Sequence, residues 1–363
     1  MRRISSPFKG FFALSCMFFA CLGWSQSSVS VFAKGLNNPR GLKFGPDGNL
    51  YVAEGGAGGT TSSGSSCDQV IAPIGPYTGG FTARISKISP NGTRTTVVDG
   101  LPSSQISPAQ GSLVSGVADV AFLNGELYAI LAGAGCSHGL AGTNNGVIRV
   151  DSNGNWTMIA NLSDYQKANP VANPQPDDFE PDGTWYSMIA KGGLLFAVEP
   201  NHGELVQITP SGNVHRVTDV SRVEGHIVPT AMISDGHDFL VGNLDTFPIK
   251  DSSKVMRITR SGQITVIAIN FETILGLAQD SKGRIYVLEN TTNNSFPTPG
   301  TGTILRIDGK NQYTVIATGL SLPTAMTFGP DGNLYVSNVG FLPPQPGMPP
   351  PVGAGQVLKI TVP

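Results

Sequence analysis

The chain has 363 residues, of which only 13% are charged, and a formal net charge of −2; ordinary soluble domains carry about 25% charged residues. It has no basic stripe and no long acidic run, which argues against nucleic acid as a partner and against a solvating tail. With 40% hydrophobic residues, 46 glycines and 27 prolines, the composition suits a turn-rich globular chain, and the length allows two domains or one large all-β domain.

The first segment reads as an export signal. Arg2, Arg3 and Lys9 precede an apolar stretch over residues 10–23, and that stretch is shorter than the roughly 20 residues a membrane span needs. A signal peptide over residues 1–25 is expected, cut near Gln26, leaving residues 26–363 as one domain. An N-terminal membrane anchor is the competing reading. Cys16 and Cys21 sit in poor contexts for acylation. The expected location is secreted or periplasmic, with no membrane span after cleavage. Cys67 and Cys136 then remain, and an even count in an exported chain invites a disulfide.

The string FGPDGNLYV occurs at residues 44–52 and again at 328–336. Identical strings near both ends mark a repeated unit. Within it, Pro39-Arg40-Gly41-Leu42-Lys43-Phe44 leads into the turn Pro46-Asp47-Gly48. A strand, Asn49-Leu50-Tyr51-Val52, follows. Later comes the alternating segment Ala83-Arg84-Ile85-Ser86-Lys87-Ile88, then the turn Pro90-Asn91-Gly92, then Thr95-Thr96-Val97-Val98. Asp-Gly and Asn-Gly between alternating segments are strong hairpin signals, and four hairpin-linked strands make one propeller blade.

The turn glycine recurs at Gly48, Gly125, Gly193, Gly236, Gly283 and Gly332. The third strand recurs six times as well, from Ile85-Ser86-Lys87-Ile88 to Val357-Leu358-Lys359-Ile360. The sixth unit ends after its third strand, whereas residues 29–33 before the first unit form a spare strand. The expected fold is therefore all-β, a six-bladed β-propeller with almost no helix, closed by the N-terminal strand completing the last blade.

Length variation falls on two loop classes. Between second and third strands lie residues 55–81, 132–146, 244–253, 291–302 and 339–355; between blades lie 100–115 and 163–183. Because strands alternate in direction, both classes emerge on one face, and function on scaffold folds concentrates in such loops. Cys67 and Cys136 occupy corresponding loops of adjacent blades. A bond between them would pin two insertions together; two free thiols are the alternative.

These residues carry a resemblance. The blades resemble the NHL class of propellers, and the chain is similar to the ScyD/ScyE family. The resemblance covers nearly all of the expected mature chain. It is clearest at Pro39-Arg40-Gly41-Leu42, Thr78-Gly79-Gly80-Phe81, Glu199-Pro200-Asn201-His202 and the run from Val241 to Pro248. It implies a propeller and export, and it supplies no catalytic residue. Asp182-Gly183-Thr184-Trp185-Tyr186 departs from the acidic string the family tends to have there.

Six copies allow an internal comparison. The second strand closes on Glu54, Leu131, Glu199, Asn243, Glu289 and Asn338. Five are carboxylate or amide: either a polar collar able to hold a ligand or a cation such as calcium, or turn caps accepting backbone N–H groups. One inner-strand position reads Gly41, Asp119, Ser187, Ala231, Gly276 and Ala325, with Asp119 its only charge. A buried carboxylate needs a partner or a metal. The acidic run at Asp177, Asp178, Glu180 and Asp182 loosely resembles the start of a calcium loop, but Ile189 stands at its twelfth position. Of five histidines, His138 and His226 fall on the elaborate face. Trp185, Tyr186, Phe247 and Phe341 are expected either to line that face as stacking surfaces or to pack in the core.

Two functions fit. One is a non-catalytic, monomeric binding protein taking a small molecule or a protein partner at its loop-rich face. The other is a metal-dependent hydrolase of the lactonase kind, with a channel cation held by Glu54, Asp119, Glu199, Asn243 and Glu289.

Overall fold

The structure is a computed structural model that describes residues 27–107, 113–249, 251–340 and 352–363. The expected signal peptide lies outside these residues, as does Phe341. The described residues form six antiparallel sheets arranged as the blades of a propeller. The inner strands are Pro39–Phe44, Val117–Leu123, Ser187–Lys191, Pro229–Ser234, Ile274–Gln279 and Ala325–Phe328, and each contacts the next around the ring. No helix among the described residues is long and apolar enough to cross a membrane.

The ring closes as the strand count requires. Val29–Leu36 pairs with Gly355–Ile360, in the register Val29 with Ile360 and Leu36 with Gly355. That makes it the outer strand of the sixth blade. Its Ala33 and Leu36 pack with Leu42, Leu50 and Val357 in the cluster between blades six and one.

The turn glycines adopt the backbone their position demands. Gly48, Gly125, Gly193, Gly236, Gly283 and Gly332 all have φ between 75° and 100°, a region that favours glycine because it has no Cβ. The duplicated string itself is scaffold. Asp47 accepts hydrogen bonds from Asn49 Nδ2 at 2.7 Å and Tyr51 Oη at 3.0 Å, and Asp331 does the same with Asn333 and Tyr335. Each tyrosine then meets a phenylalanine of a neighbouring inner strand edge-on: Tyr51 against Phe122 at 4.9 Å and Tyr335 against Phe44 at 5.0 Å. Such pairs add about 0.5–1.5 kcal/mol beyond their area.

Two segments read as loops are structured differently. In blade one, strands Thr78–Ile88 and Arg94–Gln105 run on past the blade, with Val114–Ser115 added beside them. The glycines and serines there lack the apolar alternation that marks a strand, yet Gly80 pairs with Ser103 and Thr78 with Gln105. In the 163–183 segment, Leu162–Ala168 is a helix whose N-cap Asn161 accepts from Asp164 N. A second short helix, Val220–Glu224, is capped by Asp219.

Candidate functional site

All six residues of the inner-strand comparison line one small cavity on the propeller axis, with a volume of about 30 Å³, room for about one water molecule. Asp119 is 5% exposed there. It accepts hydrogen bonds from Val120 N and Met188 N, both at 2.8 Å, and from Ser187 Oγ at 3.2 Å. Burial pushes its carboxyl up, and nearby Lys43 opposes that shift. A Cβ on Gly41 would collide with the Asp119 carboxyl, so glycine at that position makes space for it.

The strand-two residues bind the backbone of their own blades. Glu54 accepts from Asn37 N at 2.5 Å and Arg84 Nε at 2.8 Å, and also from Ser86 Oγ. Glu199 accepts from Thr184 N at 2.7 Å and from His202 N. Asn243 donates to Ile227 O and accepts from Lys254 N, both at 2.8 Å. Asn338 accepts from Ser321 N at 2.9 Å, and Glu289 from Glu272 N at 2.7 Å. In these five blades, all but the one closed by Leu131, the bond ties the end of strand two to the chain entering or leaving the neighbouring strands. None of these bonds involves Asp119. Among the described residues no group of three or more His, Cys, Asp or Glu side chains is arranged to hold a metal ion. The donor set does not fit a channel cation, because its carboxylates are spread around the ring and engaged locally.

Above the axis lies a much larger cavity, about 540 Å³. The same register explains its floor. The residues one place before the axial set are Arg40, Ala118, Tyr186, Thr230, Leu275 and Thr324, and the first five line this cavity. Tyr186 reaches from blade three across to blade six, donating to Thr324 O at 2.8 Å. Arg40 donates to Val114 O and to the Tyr186 hydroxyl. Burial pushes the tyrosine hydroxyl's pKa up and the guanidinium's down. Tyr186 and Leu275 line both cavities and so form the partition between them, with Arg40 bordering it from the larger one. Of the predicted site residues, Tyr186 lies at the floor and Trp185, fully buried, at the wall. Glu54, Glu199, Asn243, Glu289 and Asn338 do not line this cavity. Arg40 was not singled out from the sequence; the register carries the signal, one residue earlier than the position compared.

The walls come from the insertions. Ile74, Tyr77, Ile106 and Leu113 belong to blade one's extension, and Val228 and Phe247 to blade four. The Cys67–Cys136 disulfide ties the blade-one insertion to the blade-two loop, as the loop correspondence implied. His138 sits beneath that tie and is fully buried. Its Nδ1 meets Ser104 Oγ at 2.8 Å, and its Nε2 meets Gly183 O at 3.2 Å. It thereby joins three insertions. Burial outweighs the pull of Asp182 and holds its pKa at about 4. The ring is thus neutral at pH 7, and the 3.5 Å approach of Glu180 is not an ion pair there. Glu180 accepts from Tyr77 Oη at 2.8 Å. Asp182 accepts from Ser137 N at 2.7 Å and Lys167 Nζ at 2.5 Å. The acidic run therefore braces the wall through its described bonds. His226 lines the cavity.

His138 yields a pH prediction. Its folded pKa of about 4 lies below the ordinary 6.5. The stability it supports is full above pH 6.5 and is lost as pH falls from 6.5 toward 4, by up to about 3 kcal/mol. Urea midpoints measured across that window should fall in the wild type and fall less in His138→Gln.

No protein family model matches the chain, and no curated protein matches it. Solved structures do. A putative oxidoreductase (glucose dehydrogenase) from Thermus thermophilus is 14% identical with a TM-score of 0.56, over 92% of this chain and 100% of that one. A gluconolactonase from Xanthomonas campestris is 10% identical with a TM-score of 0.55, over 93% and 90%. A luciferin-regenerating enzyme is 11% identical with a TM-score of 0.55, over 92% and 95%. At such identities the likeness is one of fold: the chain is a six-bladed β-propeller with gluconolactonase-like structural neighbours.

Proposed function

We propose that this chain is an exported binding propeller of the ScyD/ScyE kind that takes a small, largely apolar molecule at its loop-rich face. The observation that carries the reading is the cavity of about 540 Å³, within the ~300–1,000 Å³ of small-molecule sites. Its apolar walls close on a few convergent polar groups, Arg40, Tyr186 and Glu180. Buried apolar surface drives binding, and the polar floor orients an acceptor or anionic group. A secreted or periplasmic location fits the disulfide. Anilinonaphthalene sulfonate, apolar rings bearing one anion, is a suitable probe. The expected result is one saturable site per chain with enhanced fluorescence. Absence of saturable binding at millimolar probe sinks the reading.

A second reading, a lactonase-like hydrolase, is favoured by the gluconolactonase likeness and by Asp119 at the axis. Chelator-sensitive hydrolysis of a lactone, lost in Asp119→Asn, would support it over the first. The scattered donor set weighs against it.

A further inference from the structure

Tyr77, Trp185 and Tyr186 each bring a ring with one polar hydrogen to the cavity above the axis. The two tyrosines have acceptors. Tyr77 donates to Glu180 and Tyr186 to Thr324 O, both at 2.8 Å. Trp185 is the exception. It is fully buried, and its Nε1 has no hydrogen-bond partner among the described residues. An indole N–H can only donate, and a buried donor left without an acceptor is destabilising. Most buried polar atoms in folded proteins are paired, so an orphan asks for a cause.

The surroundings of the indole supply one. Trp185 packs in the core cluster with Ala118 and Ala132, and both alanines line the cavity beside it, as does Gly116. These three side chains are short and carry no polar atom. This stretch of wall therefore offers the N–H no side-chain acceptor and puts little bulk between it and the cavity.

We infer that the cavity takes a lipophilic carbonyl compound whose carbonyl oxygen accepts a hydrogen bond from Trp185 Nε1. The inference rests on the reading of this cavity as a small-molecule site and narrows its ligand class. The apolar walls supply affinity, and the indole fixes where the ligand's acceptor oxygen sits. A carbonyl suits this wall better than an alcohol or an amine. It accepts without bringing a hydrogen that itself needs a partner. Trp185 is then a specificity-determining residue. An analogue lacking the oxygen fills the same space and leaves the N–H unpaired, and discrimination follows from that difference.

Two compounds of nearly one shape test this, 2-acetylnaphthalene and 2-ethylnaphthalene, with the chain labelled with nitrogen-15 at its tryptophan indoles. Trp185→Phe and Trp156→Phe assign the indole resonances, the second at an exposed position. The acetyl compound should move the Trp185 indole proton downfield relative to the ethyl compound. It should also bind about tenfold more tightly, as read by displacement of the sulfonate probe. Trp185→Phe keeps a ring in the wall and removes the N–H, so it should bind the two compounds equally. If that variant does not fold, the indole proton of the wild type decides alone. Saturable binding of the sulfonate probe together with equal affinity for the two compounds, or with the same Trp185 proton position in both complexes, overturns the carbonyl assignment and leaves the cavity standing as a site. Absence of saturable probe binding overturns the cavity reading itself, so the two failures are told apart.

Discussion

Deleting residues 27–36 is expected to abolish cooperative folding. Those residues supply the outer strand of blade six, hydrogen-bonded along Gly355–Ile360. Without them the ladder of Gly355–Ile360 becomes an open edge, and the cluster holding blades six and one together loses Ala33 and Leu36. Burying residues of that size is worth roughly 1–3 kcal/mol each, and an unpaired edge invites aggregation. Calorimetry should show no single sharp transition and sedimentation should show aggregate. A permutant carrying residues 27–36 after Pro363 should recover the transition. Thr361 N already donates to Ser28 O at 3.0 Å, so the transplanted strand can return as a hairpin. If the deleted chain unfolds as sharply as the wild type, closure by this strand is not what holds the ring.

Cys136→Ser is expected to cost about 4 kcal/mol, the chain-entropy value for a loop of this size, given a sequence separation of 69. The loss should be local as well as global. The bond anchors the insertion that supplies Ile74, Tyr77 and Leu113 to the cavity wall. Hydrogen exchange should therefore quicken across residues 70–79 and 104–107 before it quickens in the blades. The urea midpoint should fall, and the sulfonate probe should bind more weakly. An unchanged midpoint would mean that the Tyr77–Glu180 bond and the His138 contacts hold the wall unaided.

Architecture was legible because its determinants are local. Turn glycines need positive φ, alternating strands need period two, and a missing strand at one end needs a spare at the other. These constraints act within a few residues and recur six times, so the copies check one another. The register also brought Gly41, Asp119, Ser187, Ala231, Gly276 and Ala325 to one point on the axis. The cavity was not legible in the same way. Its floor depends on Tyr186 crossing to Thr324, 138 positions away, and its walls depend on insertions whose length and residues differ from blade to blade. The extended hairpin of blade one was read as loop because Gly79, Gly80, Ser103 and Ser104 carry no hydrophobic alternation. Its pairing is dictated by neighbours, since a Cβ on Gly79 would press into Leu140 and the His138 carbonyl. The strand-two set was legible only as two alternatives. Residue type admits either a collar holding a ligand or caps of each blade's own turns, and backbone N–H groups take oxygens of Glu54, Glu199, Asn243, Glu289 and Asn338.

On the proposed reading, ligand enters the cavity above the partition that Tyr186 and Leu275 form, and the axial carboxylate takes no part. Titration of the sulfonate probe against two variants tests it most directly. Ser115→Trp places a large side chain in the cavity, whose lining includes Ser115, while Asp119→Asn changes a residue that lines the axial cavity and not this one. With folding verified by circular dichroism, binding should be lost in Ser115→Trp and unchanged in Asp119→Asn. Retained binding in the first together with loss in the second would contradict the account and move the working site to the axis.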